Sequence, residues 1–175
     1  GVLPVSSRRW ARSIGSVGSV GDGMCRILSS PLSEASPRVS GMSTLETFDA
    51  QAAALTEVVD AVSDWSAPSP CEGWAASDVI DHIVDTQRDF LTEQGVAPGD
   101  RPTGDPAAVW RAHSAVVDSL MSDPAVAETK YEGYFGPTTI GETLSLFYGF
   151  DLIVHRWDIA TASGQAASFS EAEID

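Results

Sequence analysis

Apolar residues after Met42 recur every three or four positions in four separate segments, and this spacing constrains the fold more than any other feature of the chain. It is the period of helices that bury one face. No strand-like alternation competes with it. We therefore predict an all-α fold with helices over residues 43–64, 76–94, 106–122 and 138–163.

Residues that commonly begin or end helices lie at most of these boundaries: Ser43 with Glu46, Asp105 before Pro106, Thr138 or Thr139, and Gly164. The oxygen of a Ser, Thr or Asp side chain can accept hydrogen bonds from the free N–H groups of a first helical turn. Glycine tolerates the left-handed conformation that follows a last turn. Residues 95–104 and 131–137 are predicted as irregular connections.

Charge is distributed unevenly along the chain, whose formal net charge is −15. Residues 1–41 hold five arginines against two acids, whereas residues 42–175 hold 23 acids against five basic residues. An acidic surface repels phosphate backbones and anionic lipids, and no run of about 18 apolar residues is available to span a bilayer. We expect no nucleic-acid or membrane partner, and the two cysteines fit a reducing, cytoplasmic location.

Residues 1–41 are rich in Ser, Gly and Pro and show no sustained apolar period. This composition is typical of a disordered N-terminal extension. A simpler interpretation is that translation begins at Met42, where the composition changes and the first helix signal starts. The predicted domain therefore covers residues 42–175.

The fourth predicted helix carries three ionisable residues within its apolar stripe. Asp151 and His155 are four residues apart, and Asp158 returns to the same face, which on a helical wheel also holds Phe147. Buried charges are costly unless they pair or coordinate a metal, and an Asp/His pair at this spacing is a workable two-ligand arm for a divalent cation. The alternative, which the spacing alone favours, is that the two carboxylates only orient a buried His155.

A third ligand would have to come from another helix, and the chain has two further histidines. His82 lies among aspartates at the edge of the second helix's apolar face, which by periodicity indicates a solvated side chain. His113 lies at the centre of the third helix's apolar face, where a histidine is more often a hydrogen-bonded core residue than a ligand. Periodicity therefore selects neither.

Two segments resemble a known family. The run from Pro70 to Trp74 (Pro-Cys-Glu-Gly-Trp), followed by His82 in Asp-Val-Ile-Asp-His, is similar to the Pro-x-x-Gly-Trp segment and ligand helix of DinB-like metal-binding domains. The run that begins at Asp151 (Asp-Leu-Ile-Val-His-Arg-Trp-Asp) is similar to the second ligand segment of those domains. Over residues 44–167 the chain resembles the N-terminal metal-binding domain of actinobacterial mycothiol-dependent maleylpyruvate isomerases.

The resemblance implies a DinB-like antiparallel four-helix bundle with a long connection between helices 2 and 3. It implies the metal ligands His82, Asp151 and His155, with zinc as first choice and nickel or manganese as alternatives. It also implies mycothiol, a low-molecular-weight thiol, as cosubstrate and an electrophilic small molecule as substrate of a transferase or cis–trans isomerase. We expect Asp158 to orient a ligand rather than to bind the metal.

The sequence departs from the family pattern in several places. Asp151 stands where the resembling isomerase has the longer Glu, so the reach of the carboxylate differs. Ala75 stands where relatives often have a Thr helix cap, and Ser77 is the expected replacement. His113 matches no family position, and we expect no counterpart of the isomerase's separate C-terminal domain in residues 42–175. Two other function classes therefore stay open: a metal-binding domain without catalysis of its own, and a helical interaction module whose polar cluster is structural.

The side of the fourth helix opposite the predicted ligands is also apolar, through Leu146, Phe150, Ile153 and Trp157. A helix that is apolar on both faces is normally buried on both, whereas a four-helix bundle covers only one. We predict that the chain is truncated at its C-terminal end, or that a second copy in a homodimer covers this stripe. The alternative is that the C-terminal tail or the connection over 131–137 folds over it.

Overall fold

The computed structural model describes residues 44–166 together with Phe169 and Glu173, all within the contact-defined unit Ser43–Asp175. The predictions about residues 1–41, the start at Met42 and the cap at Ser43 lie outside the described residues. Within them, the chain is mainly helical, as expected.

The helices and strands follow one another along the chain, and we number them in that order: α1 Thr44–Asp60, α2 Ala76–Glu93, α3 Pro106–Met121, α4 Pro124–Ala127, β1 Lys130–Gly133, β2 Gly136–Thr139, α5 Ile140–Thr143, a π-helical turn Leu144–Tyr148, and α6 Gly149–Ala162. The predicted second and third helices match α2 and α3 within one residue at each end. The observed first helix is shorter than the predicted one: α1 ends at Asp60, whereas the prediction extended to residue 64.

Caps explain why these helices begin where they do. The Asp105 carboxylate accepts hydrogen bonds from the N–H groups of Ala107 and Ala108 at the start of α3. Thr139 and Glu142 cap α5 reciprocally, which confirms one of the two predicted threonine caps. The predicted cap at Ser77 is wrong. Ala75 holds the N-cap position instead. Its side chain has no acceptor for the first turn, and its N–H donates to the Asp78 carboxylate at 2.8 Å.

The connection predicted over residues 131–137 is a β-hairpin. Strands β1 and β2 pair antiparallel, with Lys130 opposite Thr139 and Gly133 opposite Gly136. The turn between them exposes Tyr134 and Phe135, whose side chains are more than four-fifths accessible. The strands have only four residues each, too few for an apolar alternation to stand out in the sequence.

The predicted fourth helix is interrupted by the π-helical turn. A π turn places one extra residue in the helix, so side chains before and after it do not share the wheel positions of a continuous α-helix. Phe147, predicted on the ligand face, is 37% exposed, and Ile153, predicted in the opposite stripe, is only 8% exposed. Leu146 and Phe150 of that stripe are exposed, at 72% and 42%. The predicted apolar stripe is therefore exposed only in part, at Leu146 and Phe150.

The long helices pack through their apolar faces, α1 against α3 and α6, and α2 against α3 and α6. Burying a large aliphatic or aromatic side chain contributes roughly 1.5–3 kcal/mol. The fully buried residues of this core come from every long helix and from the π turn: Leu55, Ile80, Ile83, Leu91, Trp110, Leu144, Leu152 and Ile159. Of the helices in residues 44–166, none combines the length and the hydropathy of a membrane span.

Gly149 lets α1 approach the junction between the π turn and α6. A Cβ atom at this position would lie 2.0 Å from Oε1 of Gln51 in α1. The contact brings the two helices together just before the residues that the sequence analysis selected as ligands. The nearest atoms belong to the end of the flexible Gln51 side chain, so a larger residue at position 149 would require that side chain to move.

Candidate metal centre

Three side chains from two helices converge between α2 and α6. Nε2 of His82 lies 4.0 Å from Oδ2 of Asp151, and Nε2 of His155 lies 3.4 Å from Oδ1 of Asp151. One potential ligand atom from each residue falls within 4.8 Å of the other two. The structure therefore brings together the three residues that the resemblance selected.

The cluster is largely closed to solvent. The side chains of His82 and His155 are 9% exposed and that of Asp151 is 15% exposed. The His155 ring meets the His82 ring edge-on at 4.9 Å between centroids, and the Trp74 ring lies 5.1 Å from His82. The expectation from periodicity that His82 is solvated is wrong, because Trp74 and α6 pack against the edge of α2 where it lies.

A turn before α2 places Trp74. The N–H of Trp74 donates to the carbonyl of Cys71 at 3.0 Å, and the N–H of Ser69 donates to the carbonyl of Trp74 at 2.9 Å. Between them Gly73 adopts φ of +79°, a conformation that side chains rarely take. The Pro-x-x-Gly-Trp pattern therefore encodes a tight turn that sets an indole against the histidine of the next helix.

Asp158 holds His155 from the side away from the cluster. Nδ1 of His155 donates to Oδ2 of Asp158 at 2.9 Å, which leaves Nε2 directed towards Asp151. The orienting contact predicted for Asp158 is present. The contacts of His155 with Asp151 and Asp158 are also expected if the two carboxylates only orient a buried histidine. The convergence of His82 on the same cluster is not expected from that alternative.

The electrostatics of the cluster favour the charged forms of both His155 and Asp151. Burial alone lowers the pKa of His155, but the carboxylates of Asp151 and Asp158 outweigh it and raise that pKa to about 10. Burial raises the pKa of Asp151, yet the neighbouring His155 and His82 lower it overall. Asp151 is thus an ionised carboxylate, the form in which it can bind a cation.

Cys71 is a neighbour of the cluster to which the sequence analysis assigned no role. Its Sγ donates to Oδ2 of Asp158 at 3.4 Å, so one carboxylate oxygen accepts from both the thiol and His155. Burial and the charge of Asp158 raise the pKa of Cys71 to about 12. The side chain is therefore a neutral thiol rather than a nucleophile. The only sequence feature that could have indicated this contact is the position of Cys71 within the Pro-x-x-Gly-Trp turn.

His113 is a core residue, as periodicity predicted. It is fully buried, and its Nε2 lies 3.0 Å from Oε1 of Gln87. Burial, with the nearby Arg88 charge, lowers the pKa of His113 to about 3, so the ring is neutral. Neither group of converging ligand atoms in the described part of the chain includes it.

Comparison with known proteins agrees with the resemblance. Residues 47–133 match the model of the family described as the mycothiol maleylpyruvate isomerase N-terminal domain. The chain belongs to this family through those residues. The match contains Trp74 and His82, whereas Asp151 and His155 lie beyond its end.

Two strains of Mycobacterium tuberculosis have uncharacterized proteins that are 29% identical to this family member over 120 residues. The aligned region is 67% of this chain and 64% of each relative, so the chain spans somewhat less than two thirds of their length. No solved structure matches the chain significantly.

Proposed function

We propose that this chain binds one divalent cation through His82, Asp151 and His155 and uses it in a mycothiol-dependent transferase or isomerase reaction. The observation that carries the proposal is the convergence of His82 from α2 on the Asp151–His155 pair of α6, within 4.8 Å. Membership of a family named for mycothiol supports the choice of thiol.

The donor set fits such an ion. Two imidazole nitrogens and one carboxylate leave coordination positions open, which is typical of catalytic rather than structural sites. Zinc accepts both donor types and is our first choice, with nickel and manganese as alternatives. Asp158 supplies the outer hydrogen bond that metal-binding histidines usually have.

The residues around the cluster suit an external thiol. A bound divalent cation would favour the thiolate form of mycothiol. Cys71 is held as a neutral thiol, so within residues 44–166 no competing sulfur nucleophile lies next to His155. Addition of the thiol sulfur to a conjugated double bond of the substrate would permit rotation, and its elimination would complete a cis–trans isomerisation. A transferase would stop after the addition.

A metal-binding domain without catalysis of its own is the second candidate. It is favoured by the family match, whose description names the N-terminal domain of an isomerase and not a whole enzyme. The third candidate is a helical interaction module, in which Asp151 and Asp158 only hold His155 in place. We further propose the arrangement implied by the family, a DinB-like antiparallel four-helix bundle over residues 42–175 that works in the cytoplasm as a monomer or homodimer.

Elemental analysis of protein purified without added metal tests the site. We expect about one equivalent of a divalent metal in the wild type, and loss of it in His82→Ala and His155→Ala. The matched control is His113→Ala, which removes a buried histidine outside the cluster and should keep the metal. Loss of metal in His113→Ala alone, or a wild type that neither contains nor takes up zinc, would overturn the proposal.

Catalysis needs a separate measurement. We expect consumption of mycothiol in the presence of an electrophilic alkene by the metal-loaded protein, and none by the chelated protein or by His155→Ala. Stoichiometric metal without any thiol consumption would leave the metal-binding domain as the function.

A further inference from the structure

A second group of potential ligand atoms lies beside the first and shares one residue with it. The Cys71 thiol, the Asp158 carboxylate and an imidazole nitrogen of His155 all lie within 4.8 Å of one another. Cys71 comes from the turn before α2, and the other two come from α6. The measured contacts are 3.4 Å from Sγ to Oδ2 of Asp158 and 2.9 Å from that oxygen to Nδ1 of His155.

The two groups use opposite nitrogens of His155. Nε2 faces Asp151, whereas Nδ1 faces Asp158. A neutral imidazole has one lone pair available, because its other nitrogen carries the proton. His155 can therefore bind a metal through Nε2 in the first group or through Nδ1 in the second, but not through both at once. Changing from one group to the other moves a proton between the nitrogens and does not require the ring to turn.

The two groups also differ in chemical softness and charge. A thiolate is a soft ligand that selects thiophilic metals, whereas imidazole and carboxylate alone suit borderline and harder ones. A divalent ion on a thiolate, a carboxylate and a neutral imidazole is formally neutral, whereas the same ion on His82, Asp151 and His155 keeps one positive charge. In a buried site the neutral combination costs less desolvation.

We propose that Cys71, Asp158 and His155 form an alternative site for a thiophilic cation, and that occupation of this site excludes occupation of the His82 site. Coordination displaces two protons to solvent, one from the Cys71 thiol and one from the His155 imidazolium, because both ligands must be deprotonated to bind a metal. The choice between the sites is made by the ligand preference of the metal. The existence of this site needs neither His82 nor a thiol substrate, whereas the exclusion rests on the metal site proposed at His82.

Cadmium and manganese are suitable probes, the first thiophilic and the second favouring oxygen and nitrogen. A Cys25→Ser background leaves Cys71 as the sole thiol of the chain. In this background we expect Cd²⁺ titration of the metal-free protein to give the ultraviolet charge-transfer band of a cadmium thiolate. We expect Mn²⁺ to bind without that band and to be displaced one for one by Cd²⁺.

Four variants separate the sites. Cys71→Ser and Cys71→Ala should lose the band and weaken Cd²⁺ binding by a factor of about ten or more, while Mn²⁺ binding stays unchanged. The serine variant keeps a donor for Asp158, so it guards against misfolding of the alanine variant. His82→Ala should keep the band but lose Mn²⁺, and His155→Ala should lose both.

Several results would overturn the inference: no band at saturating Cd²⁺, a band that survives in Cys71→Ser, a band lost in His82→Ala, or Cd²⁺ and Mn²⁺ bound together. Mn²⁺ binding that persists in His82→Ala would contradict the proposed function instead. In that case a band that depends on Cys71 would still support the alternative site.

Discussion

Oδ2 of Asp158 accepts a hydrogen bond from Nδ1 of His155 at 2.9 Å, and this contact turns the other ring nitrogen towards Asp151. The pair is local, three residues apart on α6, yet it fixes the direction of the one histidine that both groups of candidate ligands share. Its effect on metal binding can be measured directly.

Asp158→Asn should weaken binding of a divalent metal at the His82 site without abolishing it. The amide oxygen can still accept from His155, but the negative charge that makes the imidazole a better ligand is gone. Loss of such outer partners typically costs about 10- to 100-fold in metal affinity. Competition with a chromogenic chelator measures the affinity, and Asp118→Asn, at an exposed position of α3, is the matched control. Equal affinities of wild type and Asp158→Asn would contradict the orienting role.

His113 should make the stability of the fold depend on pH. Its pKa is about 3 in the folded protein, because of burial, and about 6.5 in the unfolded chain. Between these values the unfolded chain binds the extra proton, so stability falls as pH drops below about 6.5. At 1.36 kcal/mol per pH unit, the loss from this group by pH 5 is about 2 kcal/mol.

His113→Gln should therefore lose less stability than the wild type between pH 7 and pH 5. Glutamine keeps a polar contact for Gln87 but does not titrate, so the comparison is between slopes and not between absolute stabilities. Urea unfolding at both pH values gives the two free-energy differences. Parallel losses in the two proteins would show that His113 is not the titrating group.

The effect of Gly149→Ala on the free energy of unfolding should depend on Gln51, its neighbour in α1. In the wild type the new Cβ would meet Oε1 of Gln51, so the end of that flexible side chain must move, and we expect a loss of about 0.5–1.5 kcal/mol from its displaced rotamer. In a Gln51→Ala background the clash is gone, and the higher helix propensity of alanine should stabilise the fold by up to about 1 kcal/mol. A double-mutant cycle measured by urea unfolding gives the coupling energy. Additive effects would mean that this contact does not limit the approach of the two helices.

The exposed apolar side chains of the π turn and α6 should bind a hydrophobic dye or another copy of the chain. Leu146 and Phe150 present large apolar side chains to solvent, and such exposed apolar groups often mark interfaces. A double substitution, Leu146→Ser with Phe150→Ser, should lower dye fluorescence or the sedimentation coefficient while thermal stability changes little. A wild type that is a monodisperse monomer and binds no dye would rule this out.

Features encoded by neighbouring residues could be predicted from the sequence. Asp105 and Pro106 located the start of α3, and the spacing of Asp151, His155 and Asp158 placed both carboxylates beside the His155 ring. The burial of His82 could not be read from its own helix, because it depends on packing across to α6. The approach of Cys71 to Asp158 joins residues 87 positions apart, and no periodicity reports such a contact.

The resemblance selected one candidate ligand that periodicity had set aside. His82 is at the edge of an apolar face among aspartates, so its burial followed only from the family pattern around Trp74. The hairpin over β1 and β2 lacked any comparable signal. The π turn was hidden for a different reason: its residues, Leu-Ser-Leu-Phe-Tyr, are ordinary in helices and carry no local motif that marks it.

The π turn Leu144–Tyr148 amounts to an inserted residue, and it has a consequence for sequence alignment. One residue more or less turns everything downstream by about 100° around the helix axis. A relative with an unbroken α-helix here would keep its ligands in the same place only if it were one residue shorter between Leu144 and Tyr148. Aligning it without that gap would set its acid and histidine one column away from Asp151 and His155, and the ligands would seem to be missing from a protein that has them.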